Sequence, residues 1–182
     1  MLKKILGTTG TRILNALFNL ILLLLISNEI GSEGLGTIGL ILLDITIIQL
    51  VVDLIGGSPV IYYTSRSNVG KLLFPAYLWV ILVIIFFFFL SRLLGLFFPL
   101  FYETTIPSGY ELQILSLAML NALMLIHYNL LIGQSKIKQY NIIFTVQITT
   151  LLLSFLIQLF IVERLSVDSF LISLYLAYGI GA

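Results

Sequence analysis

Arg12 interrupts an apolar run near the N-terminus, and Thr8, Asn15 and Asn19 flank it at helical spacing. The four are separated by four, three and four residues. At about 100° per residue they fall within about 60° of one another on a helix. Such a stripe presents a fixed cation and two amides to an anionic ligand. The planar guanidinium suits phosphate because its fork engages two oxygens at once. A plainer reading stands beside it: Arg12 snorkels to the headgroups and the asparagines tie helices together. Further along, Thr46, Gln49, Asp53 and Gly56 share a second helical face. Asp53 could pair with Arg12, take up a proton or Na⁺, or serve in a structural ion pair. Asp44 points the opposite way from Asp53, so the two acids form no carboxylate pair on this helix. A place near the outer headgroups would cost Asp44 little.

Other polar residues promise less chemistry. Gln147, Thr150, Ser154 and Gln158 share a face without an ionisable group, which suits interhelical hydrogen bonds or a hydrated lining. His127 is the single histidine and there is no cysteine, so a packing or interfacial role is expected and no metal site is. The segment Gly31-Ser32-Glu33-Gly34-Leu35-Gly36 lacks both the glycine order of a dinucleotide loop and the Lys-Ser/Thr of a P-loop. It reads as a tight turn whose glycines allow positive φ. No Ser-His-Asp constellation occurs, and the connections are too short to build an enzyme site. Neither an enzymatic activity nor a cofactor is expected.

The elements that position these residues are membrane helices. The chain has 182 residues, 60% of them apolar and 9% charged, against about 25% charged in soluble domains. Its mean hydropathy is +1.16. That much apolar surface needs lipid as its solvent. Stretches of roughly 20 apolar residues fall at about 8–27, 37–63, 72–94, 109–132, 140–162 and 167–182. They predict an all-α, polytopic bundle of about six spans in one transmembrane domain, 1–182. The first stretch resembles a signal peptide, but Arg12 interrupts it and no small-x-small cleavage site follows, so an uncleaved span is expected. The Gly56-Gly57-Ser58-Pro59 run predicts a kink at the end of the second span.

Charge sets the orientation. Lys3, Lys4, Arg66, Lys71, Lys136 and Lys138 fall at the N-terminus or in even-numbered connections. Arg92 and Arg164 fall on the other side, with Glu29, Glu33, Glu103, Glu111, Glu163 and Asp168. The positive-inside rule then places the N-terminus in the cytoplasm. A net charge of +1 gives no global field to attract nucleic acid. The last span holds only about sixteen residues, marginal for crossing a bilayer, and the chain is expected to be part of a longer transporter.

The order of several features resembles a known family. Early Arg12 is followed by Ile30-Gly31-Ser32-Glu33-Gly34-Leu35-Gly36. Next come Asp53-Leu54-Ile55-Gly56-Gly57-Ser58-Pro59-Val60, Tyr62 and Arg66, and later the connection Leu131-Ile132-Gly133-Gln134-Ser135-Lys136-Ile137-Lys138-Gln139-Tyr140-Asn141. Together these resemble the N-terminal half of bacterial polysaccharide flippases (Wzx-type O-antigen and capsule transporters), within the multidrug/oligosaccharidyl-lipid/polysaccharide exporter superfamily. Pro59 and Tyr62-Tyr63 depart from the small or aliphatic residues expected there. The resemblance implies a multi-pass protein of the bacterial inner membrane and one lobe of a two-lobe fold. It would export undecaprenyl-pyrophosphate-linked oligosaccharide for surface polysaccharide synthesis, by alternating access of a cationic cavity. A C-terminal lobe or a second copy would complete it, and membrane lipid would surround it. Arg12 would contact the pyrophosphate or a sugar phosphate, with Asn15, Asn19, Gln49 and Asp53 as further cavity residues. Two alternatives remain: a cation-coupled multidrug exporter of the same superfamily, with Asp53 as the acid it needs, and a non-transporting membrane scaffold.

Overall fold

Gly57 and Pro59 decide how the second apolar stretch folds. Proline has no N–H to give the carbonyl four residues back, and its ring crowds the preceding turn. The helix therefore stops: Gly57 N still donates to Asp53 O at 3.1 Å, but Val60 N turns to Gly57 O at 3.0 Å. A new helix begins with Pro59 in its first turn, where a missing donor costs nothing. A Cβ at Gly57 would lie 2.6 Å from Asp53 O, so the break requires glycine.

The structure, a computed structural model, describes residues 2–161 and 165–182. Every regular element in it is helical: α1 (Leu2–Glu29), α2 (Gly31–Gly56), α3 (Ser58–Thr64), α4 (Val69–Phe97), α5 (Pro99–Thr105), α6 (Glu111–Gly133), α7 (Ile137–Ile161) and α8 (Val167–Gly181). Five stretches are long and apolar enough to cross a membrane: Thr9–Glu29, Gly31–Thr64, Val69–Phe97, Glu111–Gly133 and Ile137–Ile161. The expected sixth span is the shorter α8, whose 15 residues reach about 22 Å at 1.5 Å per residue. The expected end of the fifth span at Val162, with Glu163 and Arg164, lies outside the described residues. So do the side chains of Lys3, Lys4 and Thr8.

The glycine-rich turn is shorter than expected. Gly31 alone takes a positive φ, 81°, while Gly34 and Gly36 lie inside α2. One left-handed residue suffices to reverse the chain, and every residue then added to the helix satisfies backbone groups that lipid cannot. Gly34 is needed for closeness rather than for φ. A Cβ there would lie 2.2 Å from Ile30 Cγ2 and 3.7 Å from Val167 Cγ2.

The helices form two compact units, Met1–Gly36 with Lys136–Gly181, and Thr37–Ser135. In the first, α7 packs against both α1 and α8. Phe155, fully buried, meets Phe170 edge-on with centroids 6.3 Å apart. Gln158 Nε2 donates to Ser173 Oγ at 2.8 Å and to Ser169 O at 2.9 Å. These bonds give part of the polar face of α7 an interhelical role.

In the second unit, α6 packs against α3 and α4. Asn68 caps α4 by accepting from Gly70 N at 2.9 Å, one of the donors a helix start leaves unpaired. Phe98 ends α4 because the residue before a proline is driven out of helical geometry, and Pro99 opens α5. The short α5 lies against α4; the sequence suggested only a connection there. At the far end of α6, a Cβ on Gly133 would lie 2.7 Å from Ile61 O and 2.8 Å from Thr64 Cβ. Backbone cannot yield as a side chain can. Gly133→Leu is therefore expected to destabilise the fold by about 1–3 kcal/mol, seen as a lowered melting midpoint in detergent. An unchanged midpoint would show that α3 does not rest on α6.

Candidate functional site

The break after α2 organises the polar centre of the second unit. In an unbroken helix Val60 N would serve Gly56 O, but it bonds Gly57 O instead. Asn129, projecting from α6, supplies the missing donor, Nδ2 to Gly56 O at 2.9 Å. One to two turns earlier on α2, Gln49 Nε2 donates to Asp53 Oδ1 at 2.8 Å, and Asn121 Nδ2 donates to Gln49 Oε1 at 3.3 Å. From α4, Trp79 Nε1 donates to Val51 O at 3.1 Å, and the Tyr77 hydroxyl lies 2.6 Å from His127 Nε2 on α6. A ladder of side-chain hydrogen bonds thus joins α2, α4 and α6. In hydrocarbon such bonds hold helices together, at an average of about 0.6 kcal/mol each.

The structure places the sequence candidates as follows. Gln49 is buried and Asp53 exposed, and the two are bonded in the second unit. Arg12, Asn15 and Asn19 lie on α1 in the first unit. Arg12 and Asn19 are exposed. Asn15 is 3% exposed, and neither its Oδ1 nor its Nδ2 has a hydrogen-bond partner among the described residues. A buried, unmatched amide costs about 1–3 kcal/mol. An amide in that state is suited to a ligand that brings a donor and an acceptor with it, and the exposed Arg12 lies three residues away on the same helix.

A second cluster escaped the sequence reading. Tyr102 on α5 donates its hydroxyl to Glu111 Oε1 at 2.7 Å, and both line a cavity with Asp44. Arg92 lies over the Phe88 ring at 5.4 Å. Burial, then the bond to Glu111 and that carboxylate's charge, push the Tyr102 hydroxyl from 10.0 up to about 12, against the pull of Arg92. A raised value in the folded state, owed first to burial, means that the stability held with this hydroxyl neutral is fully present below pH 10.0 and is lost as pH rises through about 12. The stability difference between wild type and Tyr102→Phe should therefore be constant below that window and shrink across it. A difference that stays flat to the top of the window would place the hydroxyl in water. The signal in the sequence was Pro99 followed by an aromatic and acidic stretch, which forms a short helix that folds back onto α4.

No protein-family model, curated protein or solved structure matches this chain. The fold itself defines the class. Five long apolar helices in an all-α chain make this a polytopic membrane protein, an architecture of the general kind used in transport.

Proposed function

We propose that the chain is a lobe of a bacterial inner-membrane transporter that exports lipid-linked oligosaccharide, of the undecaprenyl-pyrophosphate type, during surface polysaccharide synthesis. The observation that carries this reading is Asn15, buried with both amide atoms unmatched, three residues from the exposed Arg12. An exposed cation and a buried, unsatisfied amide less than one turn apart on one helix fit a phosphate joined to a sugar better than they fit apolar packing. The sequence resemblance to polysaccharide flippases points the same way. In this reading the N-terminus is cytoplasmic, Arg12 and the amides line a cavity open to one leaflet at a time, and a C-terminal lobe or a second copy closes it. No covalent step is involved, and neither cofactor nor nucleic acid takes part.

The test is restoration of surface polysaccharide in a bacterium lacking its own flippase, with this chain supplied alone and in its full genomic reading frame. Restoration by either form supports export. Failure at normal membrane abundance across hosts of matched glycan would overturn it. Asp53, exposed and bonded to Gln49, favours a second reading as a cation-coupled exporter of drugs. That reading requires resistance in a drug-sensitive host that Asp53→Asn removes.

A further inference from the structure

A cavity of about 250 Å³ lies in the second unit, bounded by α2, α4, α5 and α6. Its walls are almost wholly apolar, with Phe87, Leu94, Phe101 and Leu115 among them, and it is entered by two carboxylates, Asp44 and Glu111. Its size is informative. A dry cavity of about 150 Å³ holds a benzene ring, and sites for drug-sized ligands begin at about 300 Å³. This one suits a single ring or a short chain with a small headgroup. Its position is informative too. It sits where α4 ends and α6 begins, the end of the unit opposite Arg66 and Lys71.

The two acids differ in what satisfies them. Glu111 accepts from the Tyr102 hydroxyl at 2.7 Å. Asp44 Oδ2 is buried and has no hydrogen-bond partner among the described residues. An acid in the middle of a membrane helix costs about 2.5–3.5 kcal/mol on insertion scales, and such a residue normally pairs with a cation or a donor. Among the described residues no Lys, Arg or His lines the cavity. Arg92, next in sequence to the lining residue Ser91, is exposed on α4 and lies over Phe88; its charge reaches Tyr102 at the cavity wall, but it does not line the cavity. Apolar walls around an unmatched acid select for charge of one sign on a greasy body.

We propose that this cavity binds a primary ammonium group carried on a small apolar body, with Asp44 as its counter-ion and Glu111, steadied by Tyr102, as the second acceptor. Two sources carry that chemistry: a free amphiphilic amine, and the headgroup of an aminophospholipid whose chains continue into the bilayer. Phe101, Tyr102 and Thr105 of α5 contribute one wall of the cavity. The inference is independent of oligosaccharide export and survives its failure.

The experiment is equilibrium binding of radiolabelled phenylbutylamine to the purified chain in phosphatidylcholine nanodiscs. Wild type is expected to bind saturably. Asp44→Asn should weaken binding about ten-fold or more, the loss of one charge-assisted hydrogen bond. Phenylbutanol, the same body without the charge, should compete at least about ten-fold less well. Leu115→Trp, which fills the cavity and spares both acids, should abolish binding. Should Asp44→Asn fail to fold, the comparison of amine with alcohol on wild type decides the matter. Equal binding of amine and alcohol, equal binding by wild type and Asp44→Asn, or no saturable binding at all would overturn the proposal. Replacing part of the phosphatidylcholine with phosphatidylethanolamine identifies the source. A fall in apparent amine affinity assigns the site to the lipid headgroup, and an unchanged affinity assigns it to a free amine.

Discussion

Arg12→Ala should lower surface polysaccharide by about ten-fold or more when introduced into the full-length protein at matched membrane abundance. That is the scale of one lost hydrogen bond to a charged group, about 1.5–3 kcal/mol. Arg12 is exposed on α1, so its removal opens no void in a packed interior and abundance should hold. Arg12→Lys separates two roles for the charge. A lysine keeps the cation but loses the two-pronged geometry that matches a phosphate. If the guanidinium grips pyrophosphate, lysine restores only part of the export. If Arg12 merely snorkels to headgroups, lysine restores all of it, and so nearly does alanine. Equal export by wild type and Arg12→Ala would remove Arg12 from the site while leaving export itself standing.

The elements around Arg12 were legible in the sequence because lipid imposes a simple rule: long apolar runs become helices that satisfy their own backbone. The break at Gly57 was legible for the same reason, since Pro59 removes a donor that nothing else in the helix can replace. What could not be seen is which face of each helix is buried. In a soluble protein, hydropathy separates inside from outside. Here Leu20 and Leu24 are exposed while Leu22 and Ile26 are buried, and nothing in their chemistry distinguishes them, because lipid and protein interior are equally apolar. Only polar residues mark a face, and they do so unevenly. Gln49 and Asp53 were grouped correctly because both lie on α2 at helical spacing and bond each other. Their partner Asn121 lies on α6, a pairing that no local pattern encodes. A place near the outer headgroups was open to Asp44, but its lining of a cavity was not legible. One wall of that cavity comes from α5, seven residues long, too short to show a period of its own within an apolar and aromatic stretch. Glycine misled in one place. The run from Gly31 to Gly36 looked like a turn throughout, yet Gly34 serves the close approach of Ile30 and Val167, and spacing alone does not distinguish a glycine kept for its φ from one kept for its size.

Asn15→Leu should raise stability and abolish export together. Among the described residues both polar atoms of the Asn15 amide are buried without partners, and such a group destabilises the fold by about 1–3 kcal/mol. Leucine keeps the branched outline and has nothing to satisfy, and removal of that penalty should outweigh the strain of its larger volume, so the melting midpoint in detergent should rise. A residue retained for structure alone would be improved by that change. A residue retained for a ligand would not, since its unmatched donor and acceptor are what the ligand completes, and sites commonly trade stability for function in this way. Asn19→Leu is the control. Asn19 lies four residues further along the same helix but is exposed, so its replacement should leave the melting midpoint nearly unchanged. If Asn15→Leu and the smaller Asn15→Val both lower stability instead, the amide has a partner in the assembled protein and acts as a tie between helices. If stability rises and export is intact, Asn15 lies outside the path of the substrate, and Arg12 must act without it. Only a gain in stability joined to a loss of export fits an amide held open for a sugar.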